Sequence, residues 1–360
     1  MKQNIVIIGD THFGARNNSM TWLKHQSDGF DEIIEYVDKS MNEYNETIVI
    51  HVGDLFDSRS SINPIIYEKV ERLLRKLNGV LNERLVNGCK HDGYMYIIGG
   101  NHDYYYQWES ENNYSSTLML PRLSNIKFVN TQYEKCFIDI LMIPWFLFHN
   151  KKTLKEILDF ETKDQKPIIF THTDPFHMDQ EISQLISGYR LVTGHIHQPT
   201  QKWKNGLLVT GASYPMDFSD TNSKRGFWTM CRDYEWQYTN NHVTGKSYGD
   251  IKVGFHEIHS SIHFHTIIEQ ELTEWKSLGI KPDDYVEIQI RASHVDDYKE
   301  ILKELNDNFN TNILYLTEVT NMITEHTEIL NVDTVCKKLL PKNLKSIYQE
   351  MIDACETGNQ

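Results

Sequence analysis

The chain has 360 residues, of which 39% are hydrophobic and 24% charged, and its length suits about two to three domains. Its net charge of −14 argues against simple electrostatic binding to nucleic acid. No stretch has the roughly 18 uninterrupted apolar residues of a membrane span, so no membrane association is expected. The short apolar start lacks the features of a signal peptide, which predicts a cytoplasmic protein.

The cysteines and histidines point to different conclusions. The five cysteines are an odd number and include no C-x-x-C pair, so neither a disulfide framework nor a zinc ribbon is expected. The 17 histidines are more informative, because imidazole is the commonest metal ligand and several of them lie beside acidic residues. The positions of these histidines relative to the predicted strands therefore indicate the function.

Most of the first two thirds of the chain alternates short β-rich runs with helical stretches, which is typical of a layered α/β domain. Apolar residues at helical spacing predict covering helices at 28–45 and 63–85. The predicted buried strands are 4–9, 47–52, 93–98, 137–144, 167–171 and 190–193.

Two hairpins are predicted to close this domain. Asn205-Gly206 is a strong turn signal and predicts a hairpin over 200–209, while 226–238 is predicted to fold back near its middle. The polar segment 240–254, which contains several glycines, is predicted to be a linker.

After the linker the pattern changes to a small β-α-β-α-β unit, which predicts a second domain. Its helices are predicted at 269–278 and 295–308, and two of its strands at 285–290 and 313–318. A final helix is predicted at 344–355, where apolar residues at helical spacing form one continuous face. These elements divide the chain into predicted regions 1–245, 251–320 and 330–358.

A potential metal ligand follows each of five predicted strands. Ligands of open α/β sheets gather at the carboxyl ends of the strands, so these loops are expected to converge on one crevice. Two divalent ions about 3.5 to 4 Å apart need one bridging oxygen ligand and further nitrogen and oxygen ligands. The loops carry Asp10 and His12, Asp54 and Asp57, Asn101 and His102, His172, and finally His195 and His197.

The residue types suggest how such a site would be divided. Asp54 is the predicted bridging carboxylate. Two ions in this arrangement activate a water for attack on phosphorus and stabilise charge on the phosphate oxygens. One ion is expected to bind Asp10, His12 and His197, and the other Asn101, His172 and His195.

His102 and Asp57 are the predicted catalytic pair. Because Asn101 fills the metal position beside it, the imidazole of His102 is left to protonate the leaving oxygen or to hold the phosphate. Asp57 is expected to hold the other nitrogen of that ring and so to orient it.

Three assignments leave an alternative open. His177 lies in the same predicted loop as His172, which is preferred because it directly follows the apolar strand. Lys224 and Arg225 are candidate substrate-binding residues, although an exposed basic pair is equally often only solvated. Aromatic residues of strands usually pack in the core, but three tryptophans are also candidates for stacking on bases, Trp145, Trp203 and Trp228.

Taken together, the loop motifs resemble those of the calcineurin-type metallophosphoesterase superfamily. In order over 10–197 they are Asp-x-His, Gly-Asp-x-x-Asp, Gly-Asn-His-Asp, a single His and Gly-His-x-His. Within that superfamily the chain resembles the SbcD and Meiotic Recombination Eleven nucleases of double-strand break processing, and most of all their phage counterpart, the recombination endonuclease subunit. Further likeness lies in the segments 143–145, 211–217 and 224–228.

The resemblance implies a four-layer α/β/β/α sandwich with a small α+β capping domain and a C-terminal helical tail. It implies a DNA exonuclease and endonuclease that uses manganese, or magnesium, at DNA ends in recombination and repair. It also implies a homodimer whose tail binds an SMC-like ATPase of the SbcC type. Archaeal and eukaryotic members have His at the position of Asp57, whereas bacterial and phage members have Asp, so the balance of the two activities stays open.

Two other functions stay open. A phosphoprotein or nucleotide phosphatase of the same fold would share every ligand but would need neither cap nor tail. A scaffold that binds partners through its surface is the non-enzyme alternative, and the complete ligand set argues against it. The expected location is the cytoplasm, that of the host if a phage encodes the chain.

Overall fold

The structure is a computed structural model that describes most of the chain up to residue 316. The predicted helix at 344–355 and the tail predicted at 330–358 lie outside the described residues. Within the described part, no helix is both long enough and apolar enough to cross a lipid bilayer. The described residues are 2–59, 61–105, 114–136, 139–161, 166–217, 220, 223–239, 242–259, 264–282 and 284–316.

Strands and helices alternate over most of this part. The strands are β1 (Lys2–Ile8), β2 (Glu46–His51), β3 (Arg84–Val86), β4 (Cys89–Ile98), β5 (Ile126–Val129), β6 (Glu134–Cys136), β7 (Ile140–Met142), β8 (Ile168–His172), β9 (Arg190–Gly194), β10 (Thr200–Lys202), β11 (Leu207–Val209), β12 (Gly226–Thr239), β13 (His242–Glu257), β14 (Phe264–Ile268), β15 (Tyr285–Arg291) and β16 (Asn310–Leu316). Apart from the four-residue helical turn Ala15–Asn18, the α-helices are α1 (Met20–Glu43), α2 (Pro64–Val80), α3 (Trp145–His149), α4 (Lys151–Glu161), α5 (Gln180–Leu185) and α6 (Lys299–Asn308).

Two sheets share one apolar core. The first has the strand order β13-β12-β1-β2-β4-β3, with β5 beside β4, and the second has the order β10-β11-β9-β8-β7-β6. Neighbours β1, β2 and β4 are parallel, as are β7, β8 and β9. Ile5 and Ile48 of the first sheet pack in the same cluster as Phe170 and Val192 of the second. The carboxyl ends of both sets of parallel strands can therefore supply one site.

Helices cover the other face of each sheet. Since side chains alternate along a strand, Val6 lies on the opposite face of β1 and packs with Phe30 of α1 and Leu73 of α2. In the second sheet, Ile169 packs with Leu154 of α4 on the face that points away from the first sheet. The predicted mixed α/β fold is thus confirmed.

The ends of two helices differ from the prediction. Helix α1 begins at Met20 rather than at 28, because Ser19 caps it by accepting from the backbone N–H of Trp22, whose side chain is buried. Helix α2 ends at Val80, where a helix to 85 was predicted. The chain turns back at Asn87-Gly88, whose positive φ angles of 51° and 79° suit a tight hairpin between β3 and β4.

The predictions of a hairpin within 226–238 and of a linker at 240–254 were wrong. Strands β12 and β13 pair along one long antiparallel hairpin, and the expected turn within 226–238 is only a register shift between Cys231 and Asp233. Most of the predicted linker at 240–254 lies in β13, which also crosses the boundary predicted between 245 and 251. The glycines obscured a period-two apolar pattern that packs against the core between the sheets, Ile251, Val253 and Phe255.

A third, smaller sheet follows. Strands β14, β15 and β16 are all parallel, and the connections between them contain a 3-10 helix, Glu269–Ser277, and α6. The predicted β-α-β-α-β order is present, although the first helix is 3-10 rather than α. Ile288 of β15 and Leu305 of α6 belong to a core of this unit's own. The domain boundaries, including the cap at 251–320, stay predictions.

Candidate metal centre

The predicted ligands lie at the carboxyl ends of the parallel strands of both sheets. The first sheet supplies the loops after β1, β2 and β4, and the second sheet supplies the end of β8 and the loop after β9. The structure brings these five segments together and forms three groups of ligand atoms from them. Two contain the predicted metal ligands, and the third contains His12, Asp57 and His102.

The first group contains Asp10, His12 and His197, whose ligand atoms lie within 4.8 Å of one another. Nε2 of His12 is 3.1 Å from Nε2 of His197, and the latter is 3.8 Å from Oδ2 of Asp10. Two ligands bound about 2.1 Å from one ion at right angles lie about 3 Å apart. The two imidazoles therefore have the spacing of ligands that share a cation.

The second group contains Asp54, His172 and His195, with Asn101 beside them. Oδ1 of Asn101 lies 2.8 Å from Nε2 of His172 and 3.0 Å from Nδ1 of His195. Oδ2 of Asp54 is 3.2 Å from Nε2 of His172 and 3.7 Å from Nε2 of His12. Asp54 thus lies between the two groups, where a bridging carboxylate belongs.

The hydrogen bonds of His172 test whether a cation fits. Nδ1 lies 3.0 Å from the carbonyl oxygen of Val52, which can only accept, so Nδ1 is the donor. Nε2 then faces the oxygens of Asn101 and Asp54, and must carry a proton or bind a cation to do so. Metal-binding histidines commonly donate their other ring N–H to a backbone carbonyl in this way. The residues fit a divalent cation.

Charge in this centre is unbalanced. Asp10 and Asp54 are 0% and 2% exposed, and in the described chain no Lys or Arg pairs with either. Burial, reinforced by the charge of Asp54, raises the pKa of Asp10 to about 7. Burial also acts to raise the pKa of Asp54, but the charge and hydrogen bond of His172 outweigh it and lower that pKa. Divalent cations would neutralise these buried acids.

The imidazoles divide into one basic ring and several neutral ones. Burial alone would lower the pKa of His172, but Asp54 and Asp10 outweigh it and raise the pKa to about 9. Burial lowers the pKa of His12 to about 3 and that of His195 to about 4, and it also lowers the pKa of His197. Metal ligands must be unprotonated, so these three rings are ready to bind at neutral pH.

The predicted catalytic residues meet, but through a different atom. Nδ1 of His102 donates to the backbone carbonyl oxygen of Asp57 at 2.6 Å, whereas the carboxylate had been expected to hold it. The carboxylate lies instead 3.5 Å from Nδ1 of His12, which is buried and has no hydrogen-bond partner. The ring of His102 is still oriented by Asp57, because the backbone carbonyl fixes its tautomer.

Three predicted ligands have left-handed backbone conformations. The φ angles are 42° at His12, 54° at Asp54 and 76° at His195. Such conformations cost on the order of 1–3 kcal/mol each and persist only where neighbours enforce them. Here the N–H of His12 donates to the carbonyl of Asp54 at 3.0 Å, and the N–H of His195 donates to the carboxylate of Asp10 at 2.9 Å. The loops thus fix one another.

Glycine is required at Gly53 for two reasons. Its φ is 111°, and a Cβ atom there would lie 2.5 Å from Nδ1 of His172. Any larger residue would push the second sheet's histidine away from Asp54. The glycine that precedes Asp54 therefore allows close approach as well as the sharp turn expected from the sequence.

Two buried residues that support the ligands were not predicted. Oδ2 of Asp103 accepts from the N–H of Gly100 at 2.9 Å, and both carboxylate oxygens lie 3.4 Å from backbone nitrogens of the Asp54 loop. Nε2 of Gln26 donates to the carbonyl of His12 at 2.8 Å. Asp103 was visible within the Gly-Asn-His-Asp motif, but Gln26 is one polar residue on an apolar helix face and gave no signal.

The rival histidine and the basic pair also have clear positions. His177 is 86% exposed and its Nδ1 lies 2.8 Å from Asp174, outside both groups. Lys224 is exposed and pairs with Glu257. Arg225, predicted as half of an exposed pair, is instead buried, and its guanidinium donates to Asp220 and to the carbonyl of His197. Its contacts support a ligand loop, and its predicted role in binding substrate stays a prediction.

Two adjoining groups of acid and imidazole ligands, each with two buried members and one partly buried histidine, indicate a metal-dependent enzyme. The family model for calcineurin-like phosphoesterases matches residues 3–199, which is more than half of the chain and includes both groups. The chain therefore belongs to the calcineurin-like phosphoesterase family, whose hydrolases act on phosphoesters with divalent metals. No curated protein matches the sequence.

Proposed function

We propose that this phosphoesterase is a two-metal DNA nuclease that hydrolyses phosphodiester bonds at DNA ends, as exonuclease and endonuclease. The observation that carries the proposal is Asp54, whose Oδ2 lies within 3.7 Å of imidazoles from both ligand groups. Cations held there would supply polarisation of the phosphoryl oxygen and activation of the attacking water. One cation would be held by Asp10, His12 and His197, and the other by Asn101, His172 and His195. Asp54 would bind both cations.

The protein's own acid–base group is His102. The carbonyl of Asp57 holds Nδ1, so Nε2 is the nitrogen left to exchange a proton, and in the described chain it has no hydrogen bond. The ring lies edge-on to that of His12, with the two centroids 5.0 Å apart. Nε2 would donate its proton to the leaving oxygen or a hydrogen bond to the phosphate.

DNA is favoured over a small phosphate ester by features outside the ligands. The resemblance of the segments 143–145, 211–217 and 224–228 is to DNA nucleases, and the three cores support the four-layer sandwich that it implies. The small sheet packs beside the first ligand loop, because Trp22 of α1 contacts Phe264 and Tyr285 at ring distances of 5.9 Å. A phosphatase for small esters has no need of such a cap.

The same proposal includes manganese as the metal, a homodimer, and an SMC-like ATPase bound through the tail at 330–358. The net charge of −14 supports a division of labour in which the ATPase supplies most of the affinity for duplex DNA. Co-purification with an SMC-like ATPase encoded in the same genome, followed by nuclease assays with and without ATP, tests this part.

The nuclease itself is tested with the full chain, Mn²⁺ and three substrates. These are end-labelled linear duplex DNA, a chromogenic phosphodiester and the matching phosphomonoester. We expect cleavage of the DNA and the diester, and little turnover of the monoester. Rapid turnover of the monoester with intact DNA would establish the phosphatase alternative instead.

A matched pair of histidine variants controls this assay. His172→Ala removes a buried residue of the second ligand group, whereas His177→Ala removes an exposed one from the same loop. We expect the first to abolish hydrolysis and to lower the bound metal, and the second to behave as the wild type. Equal effects of the two substitutions would contradict the assignment.

A further inference from the structure

Three contacts between a cation and an aromatic ring lie on the second sheet, at its edge strand β10, in the loop after β8 and near the amino ends of β8 and β9. Each contact joins one basic side chain to one ring. The contacts are linked because Lys202 precedes Trp203 in the sequence and Tyr189 precedes Arg190. We call this surface the basic–aromatic band; its members are Phe176, Lys202, Trp203, Arg190, Tyr189 and Lys166.

The cations of the band contact rings and not carboxylates, and Nζ of Lys166 also donates to the carbonyl oxygen of Ser187 at 3.1 Å. Nζ of Lys202 lies 5.7 Å from the ring centre of Phe176, Cζ of Arg190 lies 5.1 Å from that of Trp203, and Nζ of Lys166 lies 4.7 Å from that of Tyr189. All three cations are exposed, and within the described ranges none forms an ion pair. In a chain of net charge −14, this is an unneutralised basic surface.

One member of the band, Phe176, follows a ligand of the metal centre by four residues. Phe176 lies in the loop that follows His172, and β10, which ends at Lys202, follows the loop of His197. Arg190 opens β9, whose five residues end directly before His195 and span about 17 Å. The band therefore extends from the loop after His172 to the amino ends of β8 and β9, which lie at the end of the sheet opposite the ligands.

The ring of Phe176 supplies a second kind of contact. Its side chain is 49% exposed although it is large and apolar. Trp203, in contrast, packs against the core between the sheets and serves as a fixed base for Arg190. An exposed ring beside aligned cations matches a single nucleic-acid strand, whose unpaired bases stack while its phosphates pair with Lys and Arg. A duplex hides its base faces and offers only phosphates.

We propose that the basic–aromatic band binds a single strand of DNA that leads to the metal centre. The inference rests on the proposed nuclease function, and it adds a path for the substrate and a preference for unpaired ends. It also reconciles the acidic chain with DNA binding, because these three cations are grouped on one part of the second sheet.

The test measures binding of a labelled single-stranded oligothymidylate to the full chain by fluorescence anisotropy, with a chelator present to prevent cleavage. The band variant is Lys202→Gln with Arg190→Gln, and the matched control is Lys152→Gln with Lys155→Gln, two exposed lysines on α4 that form no ion pair in the described chain. We expect the band variant to bind at least about tenfold more weakly at low salt. The slope of log K against log salt should fall by about 1.4 for two lost phosphate contacts.

Phe176→Ala separates stacking from charge. It should weaken binding of the single strand by about tenfold without changing the salt slope, since no charge is lost. The ratio of DNA cleavage to hydrolysis of the chromogenic diester should also fall in the band variant, while the control retains the wild-type ratio.

Two results would overturn the inference. One is equal binding by the band variant and the control, and the other is a larger loss for duplex than for the single strand. If the wild-type chain cleaves DNA but the band variants bind the single strand normally, the proposed role of the band is wrong and the proposed nuclease function stands. A wild-type chain that cleaves no DNA would remove the proposed function first, so the two failures are distinguishable.

Discussion

The two sheets contribute different chemistry to the metal centre. The loops of the first sheet carry all of the carboxylates, Asp10, Asp54 and Asp57, while the second sheet contributes only imidazoles from β8 and the loop after β9. Each ligand group combines both sources, because Asp10 and His12 need His197, and Asp54 needs His172 and His195. Neither of these two groups is complete with the residues of one sheet alone.

This difference means that metal binding and sheet packing are coupled. Without cations, the first sheet has buried acids, and the proton on His172 is what offsets them. Bound cations would join the halves, so loading should stabilise the fold as well as activate it. Substitutions on the two sides should therefore have distinguishable effects.

Among the carboxylates of the first sheet, Asp54 is the one whose substitution should lower hydrolysis and metal binding most. Asp54→Asn keeps the shape and the acceptor for the N–H of His102, which lies 2.8 Å from Oδ1, but removes the bridging charge. We expect hydrolysis to fall by more than about 10³-fold and the bound metal to fall below two ions per chain, measured by elemental analysis after dialysis. Retention of both ions would show that Asp54 does not bridge.

His102 tests a group that belongs to neither ligand set. His102→Gln should lower DNA cleavage by about 10²–10⁴-fold while both metals remain bound. The loss should be much smaller for a nitrophenyl diester, whose leaving group needs no proton. An equal loss with both substrates would make His102 a phosphate-binding residue rather than the acid.

Arg225 supports the loop that carries His197, a ligand from the second sheet. Arg225→Leu leaves the buried carboxylate of Asp220 unpaired and frees the carbonyl of His197, so we expect a loss of about 3–5 kcal/mol in the free energy of unfolding. Lys224→Gln removes the same charge from the exposed neighbour and should change stability by less than about 0.5 kcal/mol. Urea unfolding of the two variants checks this, and similar values would contradict the bracing role.

Without bound metal, the contact between Asp54 of the first sheet and His172 of the second should make the stability of the fold depend on pH. The pKa of His172 is raised from 6.5 to about 9 in the folded protein, so protonation of this ring adds up to about 3 kcal/mol to the free energy of unfolding. This stabilisation is fully present below pH 6.5 and is lost as the pH rises to 9. Unfolding of the chelated chain should show this loss between pH 7 and 9. His172→Gln should show none, and an equally steep decline in that variant would assign the effect elsewhere.

Much of the site could be predicted because its ligands follow strands. Asp10, Asp54, Asn101 and His195 come directly after apolar runs, so their convergence follows from parallel strands with aligned carboxyl ends. The same periodic patterns predicted the mixed α/β fold. They failed in β13, where glycines interrupt an alternating pattern that only pairing with β12 makes clear.

The sequence indicates which residues lie near one another in the site, but it does not show which of their atoms make the contacts. The sequence placed Asp57 beside His102, but only the folded loop determines that its carbonyl makes the contact. Arg225 and Lys224 are adjacent basic residues, and their different burial follows from the partners Asp220 and Glu257, which lie at different distances along the chain. Such partners are chosen by tertiary packing.

The left-handed backbone at His12, Asp54 and His195 has a consequence for how the enzyme would evolve. At each of these positions glycine would relieve backbone strain but would remove a ligand, so only a lineage released from selection for catalysis could accept it. The three codons would then record whether a descendant still uses its active site.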